Sequence, residues 1–272
     1  MVAGSNLHGE TFEGVLEAAL ESTDDLLLVD PTAEAVEALT AVAAAAETPP
    51  TVRVLADAVL LKEVMDDFVV ASNAADLIES GVLSVRTGTA VDSGSLLVTD
   101  DAVWSVVSVG DRVAALGDDD EAFVEAVTET YDTKWDVASV FDLRTPPLSR
   151  VRETLGAEIG RKTRADFDDA LDAVESARET AGEFDEVTLT LLVAGHNDVL
   201  LYDISKWGED VGIASKATFS RTKTALEEEG LITTEKVPID VGRPRLRLKL
   251  NTDRFDEVSA AELAAVTLSQ SA

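Results

Sequence analysis

The chain has 272 residues with 22 Lys and Arg against 53 Asp and Glu, a formal net charge of −31, two histidines, no cysteine and 46% hydrophobic residues. That apolar fraction can build cores, and the length fits two domains, whereas the lack of cysteine excludes a disulfide framework, a thiolate nucleophile and Cys-ligated zinc. No apolar run approaches the roughly 20 residues that span a bilayer, and Met1 to Glu10 lacks the blocks of a signal peptide, so a cytoplasmic protein without a membrane partner is expected.

In chain order, Asp25 to Asp30 is a short apolar run ending at Pro31, which predicts a buried strand. Ala33 to Ala46 predicts a helix with Val36 and Leu39 on one face, stopped by Pro49 and Pro50, and Thr51 to Leu55 predicts the next strand. Strand, helix, strand implies a parallel pair with a crossover. Helical segments are expected at Ala58 to Phe68 and Ala74 to Ser80. Strands follow at Val82 to Arg86, Ser95 to Thr99, Ala102 to Val109 and Val113 to Leu116. Asp118 to Trp135 returns to a helix, with Phe123, Val127 and Tyr131 four apart. This half reads as an α/β sandwich. It carries no glycine-rich phosphate loop, no His-x-x-x-His and no Gly-x-Ser-x-Gly elbow. Asp118, Asp119 and Asp120 can be read as cation ligands, but consecutive helical residues point apart and acids suit a helix start. Asp30, Asp57 and Thr99 stand at strand ends, where a ligand crevice or ordinary turns would place them.

The Pro pair in Arg144 to Pro147 marks a boundary, giving domains 1–143 and 144–272. Beyond it, Thr163 and Asp166 read as a capping box before an amphipathic helix carrying Phe167, Leu171 and Val174. A second helix is expected from Asp185 to about Val193, then a short strand at Val199 to Tyr202, with His196 between them as a cap or surface residue. The informative stretch is Asp203 to Ile232. Ile204, Trp207 and Val211 share a helix face, Gly212 supplies a turn, Ser215 can cap, and Phe219, Thr222 and Leu226 face inward on the next helix. Two short helices joined by a glycine turn are the helix-turn-helix layout. Facing outward on the second are Lys216, Ala217, Thr218, Ser220, Arg221, Lys223 and Thr224, with no acid before Glu227. A strand at Leu231 to Pro238, a tip at Asp240, Val241 and Gly242, and a return strand at Arg243 to Leu250 complete a hairpin. Period two puts Arg243, Arg245, Arg247 and Lys249 on one face. A bare hairpin paired to Glu235 and Asp240 would need no ligand, whereas a wing would reach phosphates or the minor groove. Ser259 and Glu262 cap a last helix whose Leu263, Val266 and Leu268 could supply a dimer contact.

Charge separates the halves. Residues 1–143 hold 5 basic and 29 acidic side chains, net −24, and residues 144–272 hold 17 and 24, net −7. We read the spread of acids, the excess of Arg over Lys and the Ala and Val bias as adaptation to a salt-rich cytoplasm, where the Debye length falls to about 3 Å. The run GIASKATFSRTKTALEEEGLI with the GRPRLRLKL hairpin resembles the winged helix-turn-helix of archaeal transcription regulators. With DDLLLVDPTAEAVEAL and SLLVTDDAVWSVV, the chain resembles the haloarchaeal TbsP-type regulators, related in function to the TrmB sugar-sensing regulators. The order of elements in the first half is similar to the phospholipase-D-like effector domain of TrmB proteins. The His-x-Lys-x4-Asp signature of active phospholipase D is missing, since Gly9 and Glu10 follow His8 and Asn197 and Asp198 follow His196. Domain order also differs, because TrmB carries its DNA-binding domain first.

The expected fold is thus an α/β sandwich, phospholipase-D-like and non-catalytic, followed by a winged helix-turn-helix domain. The expected function is sequence-specific binding of promoter double-stranded DNA by a homodimer, without cofactor or metal, through Lys216, Thr218, Ser220, Arg221, Lys223, Thr224, Arg243, Arg245 and Arg247. The resemblance implies control of central sugar metabolism genes, and a sugar or sugar phosphate is a candidate effector. Two alternatives stand beside this reading: an enzyme with its chemistry in the first domain, and a winged-helix component of basal transcription.

Overall fold

The structure is a computed structural model that describes residues 6–9, 11–21, 23–88, 94–110, 112–177, 185–240, 242–251 and 259–270. The chain divides into two compact units, Met1–Leu143 and Arg144–Ala272.

The first unit opens with β1 (Leu7–Gly9) and α1 (Phe12–Leu20), which starts where the Thr11 hydroxyl accepts from the Gly14 N–H. The sequence reading begins after both, because three residues show no period and nine residues barely two turns of stripe. β2 (Asp25–Val29), α2 (Ala33–Ala45) and β3 (Thr51–Ala56) form the expected crossover, with β2 and β3 parallel from Asp25 opposite Thr51 to Val29 opposite Leu55. α3 (Ala58–Val64) and α4 (Phe68–Glu79) follow. α4 begins six residues before the expected Ala74, because the Asp67 carboxylate accepts from the N–H groups of Val69 and Val70 and restarts the helix. β4 (Leu83–Thr87), β5 (Leu96–Val98), β6 (Val103–Val109), β7 (Arg112–Asp118), α5 (Glu121–Val137) and β8 (Ser139–Val140) complete the unit.

Among the described residues the strands form one sheet in the order β1-β7-β6-β5-β2-β3-β4-β8. Only β2-β3-β4 run parallel; the remaining pairs are antiparallel. Leu16, Leu39, Leu61 and Ala71, from α1 to α4, pack on one face against Val54 and Trp104. On the other, α5 lays Val124, Tyr131 and Trp135 over Leu27, Val29 and Leu55. Of the expected stripe, Tyr131 is buried and Val127 packs beside it, whereas Phe123 is 46% exposed and Val124 takes its place. Two guanidinium groups stand over the Trp135 ring, Arg53 at 5.7 Å and Arg86 at 4.8 Å from its centroid. Arg53 in turn pairs with Asp25 and Asp132, each at 2.8 Å, which ties α5 to β2 and β3.

The second unit begins with α6 (Leu148–Thr154), a π-helical turn (Leu155–Ile159) and α7 (Arg161–Ala177). Thr163 does not cap α7: the helix starts at Arg161 after Gly160, and Thr163 is buried within its first turn. α8 (Glu186–His196) is capped by Asp185, and α9 (Leu201–Val211) follows closely. The expected strand at Val199 to Tyr202 shrinks to one bridge between Leu200 and Arg247, because Leu201 already belongs to α9. α10 (Lys216–Glu228), β9 (Ile232–Val237), β10 (Arg245–Leu250) and α11 (Ala260–Gln270) complete the order. Trp207, Phe167 and Phe219 are the largest fully buried side chains of the unit, and the Trp207 indole donates to Thr154 Oγ1 at 2.9 Å. α11 opens on the predicted capping box, with Ser259 N donating to Glu262 Oε2 at 3.4 Å and Glu262 N to Ser259 Oγ at 3.2 Å. Leu263 is buried and Ala264 and Leu268 pack with Val174 of α7. Of the stripe expected to supply a dimer contact, Leu263 and Leu268 are thus buried inside the unit.

Candidate nucleic-acid interface

The turn between α9 and α10 is built from three local devices. Gly212 caps α9 in the left-handed region at φ 100°, Ser215 Oγ accepts from Thr218 N at 3.2 Å, and Glu209 Oε1 accepts from the N–H of Lys216 at 3.2 Å. Phe219 and Leu226 anchor α10 inward, as its spacing predicts. Ala217, Ser220, Arg221 and Thr224 are exposed on its other side, with no acid among them. The Arg221 guanidinium lies 3.5 Å from Thr218 Oγ1, and the Thr224 hydroxyl turns back to the carbonyl of Ser220 at 3.0 Å. Thr224 therefore meets solvent with its methyl group and spends its proton on its own helix.

Lys223 departs from the expected role of an open cation. Its side chain is only 12% exposed and pairs at 2.7 Å with Glu227, which also accepts from Thr234 of β9 at 2.7 Å. Burial pushes the Glu227 carboxyl up, and the bonds from Lys223 and Thr234 outweigh it, so the group sits below the usual carboxylate range. This clasp ties α10 to the hairpin.

β9 and β10 pair antiparallel with Arg245 opposite Val237, Arg247 opposite Glu235 and Lys249 opposite Thr233. Leu248 and Leu250 are buried and the basic residues alternate with them, as period two requires. Two of the four cations in the row, Arg245 and Lys249, are paired with carboxylates. Arg245 pairs with Asp203 at 3.0 Å and stacks 3.8 Å from the Tyr202 ring centroid; Lys249 pairs with Glu235 at 3.2 Å. Arg247 is half-buried, and its Nε has no hydrogen-bond partner among the described residues. Arg221, Lys236 and Arg243 are exposed and without a carboxylate partner among the described residues. Of the expected hairpin tip, Val241 lies outside the described residues.

Lys216, Ser220, Arg243 and Arg245 converge on one groove of about 380 Å³, with Tyr202 in its wall. Four of the nine residues expected from sequence thus share a single concavity at the meeting of α9, α10 and the hairpin. Thr218, Arg221 and Thr224 lie on the helix outside its lining, and Lys223 and Arg247 are taken up in packing. Sequence reasoning missed Tyr202, Asp203 and Glu209, which hold the groove cations, and left Lys236 out of the candidate set.

The model of the N-terminal domain of TbsP-like transcriptional regulators matches residues 4–146, and that of their C-terminal HTH domain matches residues 147–268. The chain belongs to the TbsP-like transcriptional regulators. No curated protein matches it. Among solved structures, TrmBL2, described as an archaeal chromatin protein with a novel mode of DNA binding, aligns at TM-score 0.36 and 16% identity over 50% of this chain and 53% of its own. This TbsP-like chain therefore spans about half the length of that structure. The phospholipase D family member Nuc from Salmonella typhimurium aligns at TM-score 0.31 and 13% identity, over 47% of this chain and 88% of its own. Neither likeness is close enough to carry a residue role across.

In the N-terminal TbsP-like domain, the polar strand ends serve local structure. Asp57 caps α3 through Val59 N at 2.7 Å, Asp120 caps α5 through Phe123 N at 3.0 Å, and Thr99 Oγ1 closes the turn to Ala102. Asp30 adopts a positive φ of 49° at the end of β2. His196 lies 3.4 Å from Asp166 at the end of α8. Among the described residues, no helix is long and apolar enough to cross a membrane.

Proposed function

We propose that this TbsP-like regulator is a sequence-specific, non-enzymatic binder of promoter DNA that acts as a homodimer. α10 enters the major groove with Arg221, Thr218 and Ser220 toward base edges, while Lys216, Arg243 and Arg245 take backbone phosphates. Lys236, exposed on the hairpin, joins the phosphate contacts. The observation that carries the reading is the acid-free exposed side of α10 beside a groove lined by Lys216, Ser220, Arg243 and Arg245, in a chain of net charge −31. An exposed helix side free of carboxylates suits a polyanion. The first unit is assigned effector sensing or oligomerisation. A sugar or sugar phosphate effector, and control of sugar-metabolism genes, rest on the resemblance to the TbsP and TrmB regulators.

Promoter footprinting in molar KCl tests this assignment. Arg221→Ala should weaken binding by roughly 5- to 150-fold, the worth of about 1–3 kcal/mol for a base contact, and relax preference at one position. Arg243→Ala should weaken all sequences alike and reduce the salt slope by about 0.9. Protection at paired half-sites about 34 Å apart is expected of the dimer. Binding unchanged in both variants would place the DNA face elsewhere.

A further inference from the structure

We propose that Asp203 and Glu209, on the first helix of the helix-turn-helix, act as internal stand-ins for DNA phosphate: they hold Arg245 and Lys216 in the groove, and duplex binding exchanges these carboxylates for backbone phosphates. The proposal rests on the reading of α10 and the hairpin as the DNA face.

Three cations, Lys216, Arg243 and Arg245, line the groove. Glu209 engages Lys216 twice, once through its ammonium and once through its backbone N–H, and Asp203 pairs with Arg245 at 3.0 Å. Counting these two carboxylates, the groove carries a net charge of +1 instead of +3. Each pair stands at the surface: the side chains of Lys216 and Glu209 are both 43% exposed, and those of Arg245 and Asp203 are 34% and 45% exposed. Exposed pairs of this kind are weak enough to be exchanged without disturbing the fold. The Lys216 contacts also hold the Glu209 carboxyl below the usual carboxylate range, so it stays ionised as a competitor.

Each cation has a second support that keeps it aimed when its carboxylate leaves. Arg245 remains stacked on Tyr202, and Lys216 is fixed by its place in the first turn of α10, which Ser215 caps. The carboxylates are therefore not the sole support of these residues. Their effect is to subtract charge from the surface that meets the duplex, which restrains binding to DNA of any sequence, where phosphate contacts supply nearly all the affinity.

The test uses the full chain and a labelled random-sequence duplex, titrated by fluorescence anisotropy across a KCl series. Asp203→Asn and Glu209→Gln remove charge and keep an oxygen that accepts from Arg245 and from the Lys216 N–H. Each should bind the duplex more tightly at low salt and steepen the slope of log K against log[KCl] by about 0.9, and the double variant by about 1.8. Asp210→Asn is the control. That carboxylate lies on the same helix but pairs with Lys206, outside the groove lining, and Lys216 is only the smallest influence on it, so its removal should change the slope far less. Circular dichroism confirms that each variant is folded. Wild-type slopes in folded Asp203→Asn and Glu209→Gln overturn the exchange, as does an equal steepening in Asp210→Asn. If wild type binds and Arg221→Ala weakens it while the slopes stay fixed, the DNA face stands and the exchange alone fails. If neither wild type nor the double variant binds any duplex, both fail.

Discussion

A Cβ added to Gly208 would stand 2.4 Å from two carbons of the Phe219 ring, closer than packed atoms approach. Phe219 is fully buried, so its ring has nowhere to retreat, and the missing side chain at Gly208 is what lets α9 and α10 close on each other. Gly208→Ala should destabilise the unit by about 1–3 kcal/mol through overpacking, with helix propensity returning up to about 1 kcal/mol of that. Thermal melting reads the difference, and a raised midpoint would show that the ring can move aside. Nothing local in the sequence marks Gly208, because its role depends on a residue eleven positions later in another helix. Ser215 and Gly212, by contrast, are legible at once, since a cap and a left-handed turn are written in the residue that makes them. The paired cations fall between these cases. Lys216 and Arg245 are plain as basic residues, but their partners lie 7 and 42 positions earlier, a distance over which no periodicity reports.

At the scale of elements, the stripes that define α9, α10 and the hairpin could be read because each has its own period and its own stop signals. The start of α7 and the strand expected at Val199 could not, because Gly160 and the early beginning of α9 decide them. The clasp of Lys223, Glu227 and Thr234 gives the packing of α10 on the hairpin a dependence on pH. A carboxyl held below its ordinary range stabilises the fold at pH values above that range, and the contribution is lost as pH falls through the lowered value. Urea midpoints measured across an acidic pH series should therefore fall less steeply in Glu227→Gln than in wild type. The variant should also be less stable at neutral pH, where the ionised clasp is complete. Parallel curves for the two proteins would remove the clasp from the account.

For the whole molecule, charge is the property that sequence states most completely, and its consequence is felt by any polyanion that approaches. The first unit carries −24 of the −31 net charges and the second only −7. Residues 144–272, which form a compact unit, should therefore bind non-specific duplex more tightly than the full chain at low salt. The two should converge near molar salt, where the Debye length is about 3 Å. The comparison is made by anisotropy at matched oligomeric state, and equal low-salt affinities would show that the acidic unit exerts no repulsion at the DNA face. The arrangement of the sheet was less open to sequence than its charge: β5 pairs with β2 while β4 lies beyond β3, a choice made by packing on both faces after the strands exist.

The seam between α7 and α11 also sets a clock. Val174 and Leu268, which pack together, are 94 positions apart, so at ribosomal rates of about 5–20 residues per second the second side of the seam is made roughly 5–20 s after the first. A helix forms in about a microsecond, and closing so long a loop adds an entropic barrier but no comparable delay. During synthesis the Val174 end of α7 therefore stays without its α11 partners, Ala264 and Leu268, while α8, α9, α10 and the hairpin are made. Synthesis thus sets an earliest time for closing this seam, whatever the folding rate of the rest of the unit.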